Sequence, residues 1–265
     1  MLLTSPPLDS LSLVRPIVYP KIWLYLAWMD TVNQYRRTIF GPFWILLSLI
    51  IFSVCMGSVY SGLFSIAFNQ YISYVTAGMI GWNWAAAILV TSGTVYTANA
   101  GMLSDYPTNK AYLLWSHVMS QFVIFVHQLP LMTLFYLIGL LPVSTNMLYL
   151  IPSLALVFMI NLGAGSMLSI VVNRYRDLNR IMGSLVIIIM MTTPIFWMPT
   201  MFEGHRSLIY LLNPFYYIIE IIRDPLLGKP PNLLNYTVAS LMALVFMVAG
   251  SIIHKKYSPS VVFRL

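Results

Sequence analysis

The sequence predicts an all-α membrane protein with six transmembrane helices, an N-terminal amphipathic helix and two short re-entrant helices between spans five and six. Of its 265 residues, 59% are apolar and 8% are charged, and the mean hydropathy is +0.82. A soluble domain carries about 25% charged residues, so this composition is typical of a polytopic membrane protein. No shift in composition divides the chain, and we expect one transmembrane domain over residues 1–265.

The first predicted element is an amphipathic helix over residues 21–38. Its apolar positions follow helical spacing and are Ile22, Tyr25, Met29 and Val32. Its polar positions are Asp30, Asn33, Arg36 and Arg37. Such a helix lies in the membrane interface, and Gly41-Pro42 then separates it from the first span.

Six apolar segments are long enough to cross a bilayer, which takes about 20 residues, with a range of about 17–25. They cover residues 43–64, 71–97, 111–141, 147–172, 181–197 and 236–254. The fifth is the shortest and the third the longest. Pro130 lies within the third and predicts a kink or a strong tilt.

The basic residues predict the orientation of these spans. Eleven of the 14 Lys and Arg residues lie on one side: Arg15, Lys21, Arg36, Arg37, Lys110, Arg174, Arg176, Arg180, Lys255, Lys256 and Arg264. The other three, Arg206, Arg223 and Lys229, lie between spans five and six. We therefore expect both termini in the cytoplasm, and we attribute the net charge of +7 to topology, not to nucleic acid binding.

The segment 192–231 is too apolar for a water-exposed loop, and Pro194, Pro199, Pro214 and Pro225 interrupt it too often for a span. Apolar runs of about 10–14 residues are typical of buried, interfacial or re-entrant helices. Irregular backbone at membrane depth is tolerated where protein buries it or where it lines a cavity. Two short re-entrant helices, at 208–212 and 215–222, are expected on either side of Asn213-Pro214. The chain is therefore expected to surround a pathway.

Four motifs, in order along the chain, carry a family resemblance. They are Tyr35-Arg36-Arg37-Thr38 with Gly41 and Trp44; Arg174-Tyr175-Arg176-Asp177-Leu178; Thr193-Pro194-Ile195 with Pro199; and Leu212-Asn213-Pro214 followed by Glu220, Arg223 and Asp224. With six spans, the chain resembles the permease subunit of bacterial ATP-binding-cassette exporters of O-antigen, capsule or teichoic acid. Pro42 departs from the family pattern, which often has an apolar residue there.

The resemblance implies a homodimer around one channel in the bacterial inner membrane, with two ATPase subunits bound beneath it. The cargo would be a lipid-linked polysaccharide. The sequence contains no Gly-x-x-x-x-Gly-Lys-[Ser/Thr], so ATP and Mg²⁺ are expected on the partner, and this chain is not expected to be an enzyme. Its one cysteine, Cys55, leaves no basis for a disulfide or a cysteine metal site.

The candidate cytoplasmic residues form two groups. The resemblance implies that the connection 99–110 couples the ATPase to the spans, with the N-terminal helix as a second contact. This connection is expected to form a short helix that ends at Pro107; the alternative is a plain polar loop. The coupling candidates are Asp30, Arg36, Arg37, Asp105 and Lys110. The second group is Arg174, Arg176 and Asp177. These either anchor the span, pair with span five or the ATPase, or receive the anionic head of the substrate, since Arg binds phosphate bidentately.

The candidate outer-gate residues are Asn213, Pro214, Glu220, Arg223 and Asp224. Glu220, Arg223 and Asp224 stand at i, i+3 and i+4, so on a helix they share a face and can pair. By resemblance, this region closes the outer mouth of the channel. The alternative is a structural salt bridge that caps the helix.

The candidate channel lining combines polar and aromatic side chains. It comprises Trp44, Tyr60, Trp82, Trp84, His117, Gln121 and Gln128. Polar residues in a span face the bundle interior, where they join helices or contact sugar hydroxyls. Aromatic rings can pack on sugar rings, although membrane-interface belts also use them. The small residues of 163–166 with Ser169 predict close helix packing.

Three other functions are alternatives for this sequence. An ATP-driven exporter of drugs or other lipids shares the six-span plan. An ion-coupled transporter needs an ionisable residue deep in a span, and only histidines such as His117 and His127 occur there. A membrane-embedded enzyme needs converging acid–base or metal-binding groups, whereas the seven carboxylates are scattered. The glycan stays open among O-antigen, capsule and teichoic acid.

Overall fold

The structure, a computed structural model, describes residues 13–105, 109–201 and 204–264, and in these every regular element is helical, as predicted. The α-helices are α1 Pro20–Tyr35, α2 Phe43–Leu63, α3 Phe68–Thr91, α4 Val95–Ala98, α5 Ala100–Asp105, α6 Ala111–Val126, α7 Leu129–Leu137, α8 Leu150–Arg174, α9 Leu178–Thr192, α10 Leu208–Leu211, α11 Pro214–Leu226 and α12 Leu233–Tyr257. Short 3-10 helices occur at Arg15–Ile17, Ser92–Thr94, Thr145–Tyr149, Pro199–Met201, Gly204–Ser207 and Ser258–Arg264. The predicted end of a short helix at Pro107 lies outside the described residues.

Five helical segments of the described chain are long and apolar enough to cross a membrane. They are Phe43–Leu63, Phe68–Ala98, Ala111–Leu137, Thr145–Arg174 and Leu233–Phe263. Each overlaps one of the predicted spans. The predicted span at 181–197 is instead the 15-residue helix α9, which ends at Thr192. Its length of about 22 Å is less than the roughly 30 Å of a hydrocarbon core, so a sixth crossing stays a prediction.

The early end of α9 has a local cause in the sequence. Thr193 precedes Pro194, and a residue before proline is pushed out of the helical region. Thr193 accordingly has extended backbone, with φ −89° and ψ 136°. The chain then leaves the helix and passes beside α3.

Helix α3 is the central element of the bundle, with most of its residues buried. It packs against α2, α6, α8, α9 and α11. The most extensive helix pair is α8 with α12, which meet at two glycines. A Cβ on Gly163 would lie 2.7 Å from the backbone nitrogen of Met247, and one on Gly250 would lie 2.6 Å from the carbonyl oxygen of Gly163. The predicted small-residue face thus lets the two backbones touch.

Two spans are interrupted. The third is divided at His127-Gln128, where α6 ends and α7 begins with Pro130 in its first turn, as the proline predicts. The second contains a 3-10 turn, Ser92–Thr94, which no proline marks in the sequence. A Cβ on Gly93 would lie 2.7 Å from Val172 Cγ1, so the turn allows close contact with α8.

Helix α1 differs from the predicted amphipathic helix in its buried face and its end. Trp23, Ala27 and Thr31 are buried, and α1 packs on α6. The predicted apolar stripe, which includes Ile22 and Tyr25, is exposed instead. The helix stops at Tyr35, not at residue 38, because Arg36 is extended and Arg37 has a positive φ of 68°.

The bundle has two ends. One end, which we call the distal end, contains the connections α2–α3, α7–α8 and α11–α12. There Asn146 Nδ2 donates to Gly228 O at 3.0 Å. Helix α1 and the C-terminal turn lie at the other, proximal end. There Trp115 Nε1 donates to Leu13 O at 2.8 Å.

Candidate functional site

Asn213 starts α11 and joins it to the end of α9. Its Oδ1 accepts a hydrogen bond from Phe215 N at 3.0 Å, which caps the helix. Its Nδ2 donates to Thr193 Oγ1 at 2.8 Å. Pro214 occupies the first helical position, where a missing N–H costs nothing. The predicted Asn-Pro break is therefore the start of α11, and its asparagine also bonds the residue that follows α9.

The two helices expected around this break are unequal. Helix α10 is a single turn of four residues, whereas α11 has 13 and buries Ile218, Ile219, Ile221 and Ile222. Helix α11 packs on α3, α8 and α12. It is thus an internal element of the bundle, and its re-entrant character stays a prediction.

Arg223 and Glu220 form a buried ion pair on α11, as their spacing predicts. The Arg223 side chain is 1% exposed. Its Nη1 also donates to Pro194 O at 2.6 Å, and its Cζ lies 4.1 Å from the centre of the Tyr74 ring. A Cβ on Gly78 would lie 3.3 Å from Nη1, so the glycine leaves room for the guanidinium. One side chain therefore connects α11, α3 and the segment after α9.

Tyrosines of α3 hold the same segment from the other side. Tyr74 Oη donates to the carbonyl oxygens of Pro194 at 3.0 Å and Trp197 at 3.1 Å. Tyr71 Oη donates to Phe196 O at 2.6 Å. The irregular backbone of 193–197 thus finds partners inside the protein, as membrane depth would require.

Asp224 stands next to this ion pair. Burial, together with the nearby Glu220 carboxylate, raises the pKa of Asp224 to about 7, although Arg223 and Lys229 oppose the rise. Burial opposes the charge on Arg223, but Glu220 more than offsets this, so the pKa of Arg223 is raised and the guanidinium stays charged. The three predicted gate charges thus lie together.

A cavity of about 440 Å³ lies at the distal end, beside this ion pair. Glu220, Asp224 and Lys229 line it, with Tyr74 and Tyr216. We call it the distal cavity. It is bounded by α3, α11 and α12 and by the segments 140–141 and 198–200.

The predicted substrate-head cluster divides into two environments at the proximal end. Arg174 Nε donates to Tyr175 Oη at 3.1 Å. Arg176 instead lines a cavity of about 270 Å³ together with Thr94, Thr97 and Asn179. Asp177 is exposed at the start of α9. The structure therefore gives Arg176 polar neighbours that an anionic group could share.

The predicted coupling residues lie at several positions of the proximal end. Asp30 lines a cavity of about 290 Å³ between α1, α3, α4 and α6, and burial raises the pKa of Asp30. Arg36 and Arg37 are exposed after the end of α1. Asp105 ends α5, and Lys110 precedes α6, where burial lowers its pKa.

The polar stripe of the third span faces α3. The Nε2 of His117 lies 2.8 Å from Thr91 Oγ1, and Asn83 Nδ2 donates to Gln128 Oε1 at 2.8 Å. Gln121 lines the same cavity as Asp30 and His117. These contacts agree with the interpretation that the stripe joins helices.

The aromatic lining candidates divide by burial. Trp82 packs on Phe215, with ring centres 5.5 Å apart, and Trp84 packs on Phe125 at 4.9 Å. Both tryptophans are buried in the bundle interior, so they do not line an open surface of this chain. Trp44 is exposed and Tyr60 is partly buried, and these two keep an accessible ring.

Comparison with known proteins gives the family. The profile described as ABC-2 type transporter matches residues 22–227, and the chain belongs to that family. Among curated proteins, the chain is 22% identical over 232 residues to the O-antigen export system permease protein RfbA of Klebsiella pneumoniae, covering 86% of this chain and 88% of the relative. A second Klebsiella RfbA protein is 22% identical over 229 residues, with the same coverage. These matches support an ATP-binding-cassette exporter permease, a transmembrane subunit.

Several residues of these sites were not singled out from the sequence. They are Tyr74, Asn83, Thr91, Thr94 and Asn235. Asn83 and Asn235 did carry a signal, since an amide in an apolar helix needs a partner. Tyr74 carried none, because tyrosines are common in membrane helices for many reasons.

Proposed function

We propose that this chain is the membrane subunit of an ATP-driven exporter that moves a lipid-linked polysaccharide across the bacterial inner membrane. The observation that carries this proposal is the similarity to O-antigen export permeases, which extends over 86% of the chain. The irregular segment 193–197 and the internal helix α11 are consistent with this proposal, since such backbone occurs at membrane depth where protein buries it or where it lines a cavity.

The energy would come from a separate ATPase that binds ATP and Mg²⁺. Its docking surface would be the proximal end, where Arg36, Arg37 and Asp105 are exposed. The excess of basic residues around this end favours the cytoplasmic side. Helix α1 packs on α6 and so offers a direct path from a docked ATPase to the third span.

A second copy of the chain would complete the channel. Helix α9 supports this view, because it has 15 residues, none of them buried. Its exposed apolar side chains include Leu185, Ile187, Ile188 and Met191. A helix too short for the bilayer can be accommodated by oligomerisation, and a second copy packed on α9 would serve that purpose.

The ion pair of Glu220 and Arg223 would keep the distal end closed. Arg223 and Tyr74 together hold the carbonyl oxygen of Pro194, and Asn213 holds Thr193. Opening a path along this segment requires these hydrogen bonds to break together. The alternative for the same contacts is a permanent structural clamp.

Deletion of the gene followed by staining of surface polysaccharide tests the proposal. We expect loss of one surface polymer, accumulation of its lipid-linked form inside the cell, and recovery when the intact gene is restored. An unchanged set of surface polysaccharides, with a changed efflux of drugs or lipids instead, would favour an exporter of those compounds.

A further inference from the structure

We propose that the distal cavity is a binding site for a neutral, hydroxyl-rich ligand, namely a sugar unit of the exported polymer. This inference rests on the proposed function. It assigns a binding role to the distal end, which the proposed function treats only as the closed end of the channel.

Asn235 is the first observation. It is 3% exposed and lines the distal cavity, yet its side chain makes no hydrogen bond with any residue that the structure describes. The amide atoms of Asn235 are not sealed from solvent but are open to the cavity, where a bound group can use their donors and acceptor. Two other buried amides use their donors, since Asn213 bonds Thr193 and Asn161 Nδ2 donates to Trp84 O at 3.3 Å, whereas Asn173 Oδ1 also has no partner within the described chain. The partner of Asn235 is therefore expected inside the cavity.

Other polar side chains of the wall use only part of their hydrogen-bonding capacity, which also favours a polar ligand. Asn232 Oδ1 accepts from Leu234 N at 3.0 Å, and Asn69 Oδ1 accepts from Gln70 N at 2.9 Å. Both residues are exposed, and their Nδ2 groups make no hydrogen bond within the described chain, so these donors are accessible at the rim of the cavity. Ser73 donates to Asn69 O at 2.9 Å and keeps its lone pairs as acceptors. The wall thus offers both donors and acceptors, which is what hydroxyl groups need.

Another part of the wall is apolar. It consists of Leu140, Leu141, Met198, Pro199 and Leu227, with the ring of Tyr216. A sugar has C–H faces as well as hydroxyls, so a wall that combines amides with apolar surface matches both parts of it.

The charges of the cavity argue against an ion as the ligand. Glu220 is already paired with Arg223, and Asp224 stands near Lys229. The charge of Glu220 is compensated by Arg223, and the raised pKa of Asp224, about 7, leaves that carboxyl partly protonated at neutral pH. The cavity therefore offers no free cluster of negative charge to a metal cation, whereas a neutral ligand needs none.

The dimensions fit a small ligand. A volume of about 440 Å³ falls within the roughly 300–1,000 Å³ of typical small-molecule sites. That is room for a short piece of a glycan and not for a folded partner.

The test uses the full-length chain, purified in lipid nanodiscs. The probes are neutral oligosaccharides of two to four sugar units, released by mild acid from the surface polysaccharide of the source strain. Their binding is measured by saturation-transfer NMR and titration. We expect the parent to bind, and Asn235→Leu to weaken binding about tenfold, because one ligand hydrogen bond is lost.

Asn161→Leu is the matched control, since Asn161 is 2% exposed but lies outside the distal cavity. It should lower the Tm, because it removes a hydrogen bond of the chain, and leave binding unchanged. Asn235→Leu should leave the Tm unchanged or raise it. Binding that is unaffected by Asn235→Leu, or a Tm lowered as much as in Asn161→Leu, would overturn the sugar site.

The deletion experiment separates this proposal from the proposed function. If deletion removes the surface polymer but the parent binds no oligosaccharide, the sugar site is wrong and the export function stands. If deletion leaves the polymer in place but the oligosaccharides bind with the expected loss in Asn235→Leu, the site stands and the export function is wrong.

Discussion

Arg223 shows how a single residue can organise one end of this molecule. Its guanidinium is almost fully buried and contacts Glu220, the carbonyl oxygen of Pro194 and the ring of Tyr74. A charge removed from water in this way is tolerated only when its partners are complete. The same residue therefore serves as a sensitive probe of the distal end.

Arg223→Met is expected to lower the free energy of unfolding by about 3–5 kcal/mol, because Glu220 is left charged and buried without its partner. Thermal unfolding in detergent measures this loss. Arg206→Met is the control: Arg206 is exposed, and a change within about 0.5 kcal/mol is expected. The double variant Glu220→Leu, Arg223→Met should recover part of the loss. A double variant less stable than Arg223→Met would contradict the ion-pair account.

Asp224 predicts a pH dependence of stability. Its pKa in the folded chain is raised from 3.8 to about 7, so the folded state binds a proton that the unfolded state releases. The stability from this proton is complete below about pH 4 and is lost as the pH rises through about 7. The Tm should therefore fall between pH 5.5 and pH 8.

Asp224→Asn should remove most of this fall, since an amide carries no proton to lose. Asp177→Asn, at an exposed proximal position, should leave it unchanged. A Tm of the parent that rises over the same pH range would contradict the assignment of the proton to Asp224.

At the scale of elements, proline and small residues in the sequence predicted several of the features that position the site. Pro130 marked the break between α6 and α7, Asn213-Pro214 marked the start of α11, and the small residues of α8 marked its contact with α12. These features are local, because proline and glycine act on their own backbone. The early end of α9 was also local, but the apolar run continues past it to Trp197 and concealed it.

What the sequence did not predict depends on contacts between distant segments. Contact with α6 determines which face of α1 is buried. The ring centre of Trp23 in α1 lies 5.1 Å from that of Trp115 in α6. The burial of Trp84 and the role of Tyr74 likewise depend on helices that are far away in the chain. A periodic pattern indicates which residues share one face of a helix, but it does not show which neighbouring helix covers that face.

The contact of α8 with α12 yields a test at this scale. Gly163→Ala should destabilise the protein by about 1–3 kcal/mol, because its Cβ would meet the backbone of α12 and the helices would have to separate. Thermal unfolding measures the change. Gly183→Ala in α9 is the matched control, since a Cβ there meets nothing within 4 Å. That variant should be neutral or more stable by about 0.5–1 kcal/mol, and equal losses in both would contradict the close packing.

The topology of the whole molecule depends on α9. Five helical segments of the described chain are long enough to cross a membrane. If α9 crosses as well, the number of crossings is even and both termini lie on the same side, as the basic residues predict. If it does not, the termini lie on opposite sides.

Fusions of a fluorescent protein and of alkaline phosphatase to each terminus distinguish these arrangements. We expect fluorescence and no phosphatase activity at both termini, which places both in the cytoplasm. Phosphatase activity at the C-terminus alone would show an odd number of crossings. The sixth crossing would then be wrong, and α9 would lie within one leaflet or the interface.

The central claim is that this chain moves its cargo by means of a partner ATPase. The most direct measurement is purification of the tagged chain from native membranes in mild detergent, followed by mass spectrometry of the proteins that accompany it. We predict an ATPase subunit in equal abundance, and its loss when Arg36 and Arg37 are replaced by glutamate. A chain that purifies without any ATPase, while remaining folded and of native size, would contradict the account.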